Sequence, residues 1–468
     1  MTEPADNDTA LSALRAALGA ERVLTEPAVL EIYAGDDGPG RCPPRAVVFP
    51  RSHEEVVALA RAAHGARLPL VARGAGSGNV GGALPVPGSV VVSFECMQRI
   101  LEFDPANRLM RVEAGAITAE IERLARSQGL FYPPDPGSAP YCRIGGNLAM
   151  NAAGPRALKY GVTRDYVLGL RAVTGDGRTL VSGCRTSKGV VGYDLTRLLV
   201  GSEGTLALIT EATLRLLPAP ATVGMLRACY DATAQACRAV QRVMAQPIIP
   251  CALEFMDAHA LAAIQRAGGA IDLPAATRAM LMVEADGEAA QVAAHLQDLR
   301  QALEGPGLVE IKQAMAADEV ARLWSARRAL SGAVKALAPL KINEDIVVPV
   351  SRLPELMARI EALARQHQLP IVSFGHAGNG NLHVNIMAHP ERAGEMARAE
   401  ACLRALFEGV LQLGGTLSGE HGIGAAKRRF VSLEIPADTL ALMRAIKRAF
   451  DPYGILNPGK LFPDAEEP

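Results

Sequence analysis

The stretch LPLVARGAGSGNVGGALPVPGSVVVSF limits the fold more than any other part of the chain. It holds a formal G-x-G-x-x-G at Gly76, Gly78 and Gly81. In a doubly wound dinucleotide fold a helix follows that motif at once, because the helix N-terminus holds the pyrophosphate. Here Pro85 and Pro87 follow, and then the β-branched run SVVVSF. Neither the helix nor the βαβ unit fits, so an NAD-binding Rossmann fold is rejected. The loop keeps a chemical meaning. Gly74, Gly76, Gly78, Gly81 and Gly82 let successive backbone N–H groups turn toward an anion as a nest, with Arg73 and Ser77 as further donors. A Gly-rich connector is the alternative for the loop taken alone.

Around this loop, from Ala46 to Pro218, short β-rich runs alternate with Gly- and Pro-rich turns. Two helical patterns interrupt them, SHEEVVALARAAHG and ITAEIERLARSQG. Ser52 is placed to cap the first, with Glu55 at the capping-box position. From about Thr222 the texture changes to long Ala-rich helices separated by strands such as RAMLMVEADG and INEDIVVPV. A sheet with helices on one side fits a second, α+β domain. The expected division is a helical lead-in over 1–41, a first domain over 42–218, a substrate or cap domain over 219–410, and a closing segment over 411–468.

The 468 residues are 49% hydrophobic and 21% charged with a net charge of −1, which offers no electrostatic footprint for nucleic acid. No basic n-region precedes an apolar run and no apolar stretch suits a spanning helix, so a cytoplasmic protein is expected, with peripheral membrane contact left open. None of the eight cysteines forms a C-x-x-C pair, which argues against an iron–sulfur cluster or a zinc ribbon.

Two later segments are also rich in Gly, Asn and Ser: PPDPGSAPYCRIGGNLAMNAAGPRALKYGVTRDYVLGL and, running into a strand, GSEGTLALITEATLRL. Such stretches are costly to order unless they wrap something with many polar edges. Together the three segments resemble the FAD-binding domain of the vanillyl-alcohol oxidase (PCMH-type) superfamily, whose fold is an α+β, two-subdomain FAD-binding domain beside an α+β cap with an antiparallel sheet. The resemblance implies that Arg73, Gly74, Ala75, Gly76, Ser77, Gly78, Asn79, Gly82 and Ala83 embrace the FAD pyrophosphate. It implies that Pro134, Gly137, Ser138, Gly145, Gly146, Asn147, Asn151 and Gly154 line the flavin and ribose. Tyr160, Gly161, Val162, Glu203, Gly204, Ile209 and Asn457 would complete the site. The loop contains no histidine or cysteine, so FAD is expected to be bound noncovalently.

The hairpin IVSFGHAGNGNLHVNIM raises a metal question. A two-residue type I′ turn centred on Asn379-Gly380 would set His376 directly opposite His383, Cβ atoms roughly 5 Å apart, with Asn385 on the same face. Such a pair can share a divalent ion or simply stack. The segment GGTLSGEHGIGAAKRRF supplies Glu420 and, beside it, His421. Two histidines and a glutamate make a three-ligand site with an open position, and His421, an imidazole beside a proposed ligand, is a candidate base. In ADEVARLWSARRALSGAVKAL, Arg327 and Ser331 fall on an otherwise apolar stripe. A buried arginine needs a partner, either a substrate carboxylate or a protein acid. Lys341 opens the following strand and alone reads as solvated.

These features, with the DPYGILNPGK ending, resemble the FAD-linked 2-hydroxyacid dehydrogenases. That group includes D-lactate dehydrogenase, D-2-hydroxyglutarate dehydrogenase and the flavoprotein subunit of glycolate oxidase. The resemblance implies a metal on His376, His383 and Glu420, substrate held by Arg327, Lys341 and Asn385, and His421 as catalytic base. Ser331 stands where the hydroxyglutarate enzymes carry threonine, which leaves the substrate tail open. A D-2-hydroxy acid, D-lactate in first place, is expected to be oxidised to its 2-keto acid. The metal is expected to be zinc, with manganese and iron as alternatives. Electrons are expected to leave to a quinone, a cytochrome, an electron-transfer flavoprotein or a partner subunit. The rivals are a His/His/Glu metallohydrolase and a noncatalytic flavin-binding subunit.

Overall fold

The computed structural model describes residues 7–268 and 272–463. The chain divides into two units. The first comprises the chain up to Ala153, Val162–Ala219, and the chain from Glu420 on; the second comprises Gly154–Gly161 and Pro220–Gly419.

The first unit carries two larger sheets and a two-stranded one, in which Leu217–Pro218 pairs with Leu130–Phe131. One has four strands in the order Val23–Leu24, Ala46–Val48, Val90–Ser93, Leu70–Arg73. Its last three strands are parallel and read as unbroken valine-rich runs, as expected of strands covered on both faces. Helix His53–Ala66 packs Val56, Leu59, Ala60 and Ala63 against Val48, Leu70 and Val92. Ser52 caps it by accepting from the Glu55 N–H at 3.2 Å, as its sequence predicts, whereas the Glu55 carboxylate accepts from the Arg51 N–H at 2.7 Å rather than closing the capping box on Ser52. The other larger sheet has five antiparallel strands: Ile100–Asp104, Leu109–Glu113, Ala207–Arg215, Val167–Thr174 and Thr179–Gly183. The C-terminal turn returns to the first sheet, where the Leu70 N–H donates to the Ile455 carbonyl and the Asn457 N–H donates to that of Leu70.

The second unit is a seven-stranded antiparallel sheet in the order Leu308–Ala314, Thr222–Tyr230, Ala279–Gly287, Ala252–Asp257, Ile371–Gly375, Asn381–Ala388, Leu340–Val347. Helices Ala258–Arg266 and Ala317–Lys335 pack on one face, where Ala260, Ile264, Leu330 and Val334 meet Met256, Val372, Phe374 and Met387; helix Ala289–Leu303 lies on the other, with Val292 and Leu296 against Gly224, so helices cover both sides rather than the one side expected. Residues 154–161 leave the first unit to pack here: Lys159 pairs with Asp286 at 2.5 Å, and the Tyr160 hydroxyl donates to Asp286 at 2.7 Å. Among the described residues no helix is long and apolar enough to cross a membrane.

Candidate active site

The face of the seven-stranded sheet under helices Ala258–Arg266 and Ala317–Lys335 carries a row of polar side chains. Register sets Phe374 and Asp345 opposite His383, Val372 and Asn343 opposite Asn385, and Lys341 opposite Met387. Opposed residues of an antiparallel pair share a face. Met256 opposes Phe374, so Glu254 joins that face by the period of two.

The hairpin differs from its sequence-based reading. Its connection is not a two-residue type I′ turn, which needs positive φ at both centres. Gly380 has φ 74°, but Asn379 is not among the residues with positive φ. Residues Ala377–Asn379 form a 3-10 turn instead, and the N–H groups of Asn379 and Asn381 both donate to the His376 carbonyl. The longer turn slips the register by two, so Phe374 rather than His376 faces His383. A slip of two preserves the face. His376 and His383 still meet edge to face, ring centroids 5.3 Å apart and planes at 86°.

Both histidines are buried against acids. His376 Nδ1 lies 2.5 Å from Glu254 Oε1, and His383 Nδ1 lies 3.8 Å from Asp345 Oδ1. Glu254 is fully buried. Burial alone raises its carboxyl, but the neighbouring His376 and Arg327 outweigh that and hold it at about 2. An ionised carboxylate only accepts hydrogen bonds. His376 therefore carries a proton on Nδ1 toward Glu254. This carboxylate-backed imidazole is the arrangement that metal-binding histidines use. The donor set of the second unit, two buried imidazoles with acids behind them, fits a divalent cation.

Arg327 donates through Nε to Glu254 Oε2 at 2.7 Å, and its guanidinium lies over the Phe374 ring at 4.8 Å. The protein acid considered as an alternative partner is thus present, but it takes only the Nε position. Among the described residues neither Nη atom is hydrogen-bonded, so the end of the fork is left for a second carboxylate. Lys341 Nζ lies 3.4 Å from Ser331 Oγ, which brings the helix and strand members of the expected clamp together. Asn385 is fully buried. Its amide nitrogen donates to the Val372 and His383 carbonyls at 3.1 and 3.2 Å, and Oδ1 has no partner among the described residues.

The SGEHGIG segment is tied at each end within its own unit. In the second unit Asp345 accepts from Ser418 Oγ at 3.2 Å and from the Gly419 N–H at 2.9 Å. In the first, Glu203 accepts from the Ile423 and Gly424 N–H groups, each at 2.7 Å. Burial raises the Glu203 carboxyl above its ordinary value despite those two donors. Glu420 and His421 are the residues that directly follow Gly419. Both oxygens of Glu203, expected at the flavin, are thus spent on the turn that carries His421.

The glycine-rich loop has the form of a nest. Several of its carbonyls are taken: Gly78 O accepts from the Asp37 N–H, Val80 O from those of Ala425 and Ala426, and Gly82 O from Asn457 Nδ2 at 2.9 Å. Among the described residues no N–H from Gly74 to Gly82 donates a hydrogen bond. Gly76 and Gly81 have φ of 69° and 75°. A run of unspent amides in a glycine loop fits a pyrophosphate. The side chains of Asn79 and Asn457 each hold a buried Oδ1 without a partner among the described residues. Arg73 donates to the Gly35 carbonyl at 2.5 Å and lies over Tyr33.

The other expected flavin residues sort by what they touch. A Cβ on Gly137 or Gly146 would meet nothing within 4 Å, so both border open space, whereas one on Gly145 would lie 2.9 Å from Ala114. Asn147 donates to Thr118 Oγ1 at 2.7 Å, and Asn151, with φ 52°, accepts from the Arg164 N–H at 2.9 Å. Ser138 O accepts from Tyr141 and Cys142 two residues after Pro136, in the loop that Pro134 begins, and the Val162 N–H donates to Asp165. Gly204 has φ 69° and Ile209 sits beside a strand irregularity. Gly154, Tyr160 and Gly161 belong to the second unit. Glu254, Asn343 and Asp345 went unread in the sequence. A lone glutamate in the apolar strand ALEFMD is the signal that points to the first.

Residues 219–461 match the family described as FAD linked oxidases, C-terminal domain, and residues 44–183 match an FAD binding domain. Glycolate oxidase subunit GlcD of Bacillus subtilis (strain 168) is 40% identical over 419 residues, 90% of this chain and 89% of that one. D-lactate dehydrogenase of Anaerostipes hadrus is 33% identical over 94% of each chain. D-2-hydroxyglutarate dehydrogenase of Stutzerimonas stutzeri (strain A1501) is 34% identical over 99% of this chain and 100% of its own. Among solved structures, p-cresol methylhydroxylase with substrate bound superposes with a TM-score of 0.81 at 17% identity, covering 97% of this chain and 96% of that one. The likeness to the last is one of fold, and it bears out the PCMH-type α+β fold expected from the sequence.

Proposed function

This chain belongs to the FAD-linked oxidase family, and from that premise we propose that it oxidises a D-2-hydroxy acid, D-lactate in first place, to the 2-keto acid. The observation that carries the reading is the single sheet face that brings His376, His383 and Asn385 beneath the helix bearing Arg327 and Ser331. A small anion with a hydroxyl beside its carboxylate matches a cationic fork next to a pair of imidazoles. Bound FAD supplies the acceptor for the hydride leaving C2, and a bound divalent metal, zinc in first place, supplies a Lewis acid for the neighbouring hydroxyl oxygen. His376, His383 and Glu420 would hold the metal. The loop of residues 74–82 would hold the FAD pyrophosphate without a covalent tether.

Arg327 binds the substrate carboxylate through its Nη edge, and Lys341 adds a second positive charge. Fixing the acid in this way supplies orientation, which is a large part of the rate. His421 takes the hydroxyl proton as C2 is oxidised. No further cation in these motifs stands ready for a second carboxylate, which favours D-lactate over D-2-hydroxyglutarate. The two electrons then leave to a quinone, a cytochrome, an electron-transfer flavoprotein or a partner subunit. A dye-reduction assay over D-lactate, glycolate and D-2-hydroxyglutarate tests the reading: turnover with D-lactate supports it, and no turnover with any of the three leaves the noncatalytic alternative.

A further inference from the structure

One carboxylate touches both halves of the site. Glu254 stands on the strand Ala252–Asp257, fully buried, with one oxygen on each of two partners: Oε1 at 2.5 Å from His376 Nδ1 and Oε2 at 2.7 Å from Arg327 Nε. A second link runs alongside, because Phe374 lies under the Arg327 guanidinium at 4.8 Å and its ring centroid is 5.5 Å from that of His383. We propose that Glu254 is a positioning residue that serves the metal ligand His376 and the carboxylate clamp Arg327 at once. The inference rests on the function proposed above and adds to it a residue that neither binds substrate nor ligates metal.

The physical reasoning has two arms. Toward His376, a carboxylate paired to a guanidinium has only lone pairs to offer, so it holds the imidazole proton on Nδ1 and fixes the orientation of the ring. Partners of this kind set ligand orientation and basicity, and losing one weakens metal binding about 10- to 100-fold. Toward Arg327, occupation of Nε removes the side-on way of gripping a carboxylate and leaves only the end-on way through the two Nη atoms. Glu254 thereby fixes where the substrate carboxylate sits relative to the imidazoles. The neighbouring acid on the same face, Glu284, does something different: it accepts from Trp324 Nε1 at 2.5 Å and lies 3.6 Å from Arg156, so it ties the helix down without reaching a histidine.

The experiment uses purified FAD-loaded protein, wild type, Glu254→Gln, Glu254→Asp and Trp324→Phe. Zinc affinity is read by competition with a chelating dye, and KM and kcat with whichever of the three acids bleaches the wild-type flavin. Gln keeps the volume but turns an NH2 donor toward one of two donors, and Asp is too short to reach both. Zinc affinity should fall at least tenfold and KM should rise at least tenfold in Glu254→Gln, while FAD content stays at the wild-type level and Trp324→Phe moves neither value by more than about twofold. If Gln does not yield folded protein, the same two shifts are required of Asp. Wild-type zinc affinity and KM in the Glu254 variants, or equal shifts in Trp324→Phe, would show a merely structural acid. A wild-type protein that binds no zinc and reduces with no acid would sink the function itself, and this inference with it.

Discussion

His376 and His383 meet edge to face, with ring centroids 5.3 Å apart and both side chains buried. Two buried imidazoles at that distance, each near an acid, make a poor pairing in the absence of an ion and a good one around it. Dialysis against a chelator, with removal verified by elemental analysis, should lower turnover at least a hundredfold, and zinc or manganese should restore it. Unchanged turnover in the metal-free protein would defeat the His376, His383 and Glu420 assignment.

Arg327 should bind the substrate carboxylate with the edge that Glu254 leaves open. Arg327→Ala is expected to raise KM and to lower kcat/KM by an amount worth about 2–4 kcal/mol, the loss of one arm of a buried charged pair. Steady-state kinetics at fixed dye concentration reads both. A wild-type KM would mean that Arg327 serves only to satisfy Glu254.

Glu203 is expected to act through the turn it anchors. Glu203→Gln retains one acceptor for two amide donors, leaving a buried N–H unmet at a cost of about 1–3 kcal/mol. The melting temperature should fall, and kcat should fall more than KM rises, because His421 lies in that turn. A larger effect on FAD affinity than on kcat would place Glu203 at the flavin instead.

Gly81 has φ 75°, and a Cβ there would lie 3.1 Å from that of Ala425. Forcing a side chain into the left-handed region costs about 1–2 kcal/mol, equivalent to roughly a tenfold loss of affinity if the bound loop must hold that shape. Gly81→Ala protein should therefore purify paler and release FAD more readily on gel filtration. Full retention of FAD would separate the loop from the cofactor.

Much of the fold is legible locally. Pro85 and Pro87 exclude a helix after the glycine loop, Ser52 announces a helix start, and the valine runs mark covered parallel strands. The hairpin shows where local rules stop. Asn379-Gly380 is the sequence of a tight I′ turn, yet the observed connection is a longer 3-10 turn, and only the period of two rescued the shared face. Glu254 and Asp345 were hidden for another reason. An acid in a strand reads as solvated until the neighbouring strands and the helix above it are known, and those neighbours come from residues 73 and 38 positions away, Arg327 and His383. The passage of residues 154–161 into the second unit likewise has no local signal, since it depends on Asp286 waiting for Lys159 and Tyr160.

Mixing the oxidised, FAD-loaded protein with D-lactate, glycolate or D-2-hydroxyglutarate under anaerobic conditions isolates the reductive step from every downstream acceptor. The visible flavin absorbance should bleach in a single turnover with D-lactate, one pyruvate forming per flavin. Failure of the flavin to bleach with all three acids, in protein shown to hold both FAD and metal, would contradict the proposal that this site oxidises a 2-hydroxy acid.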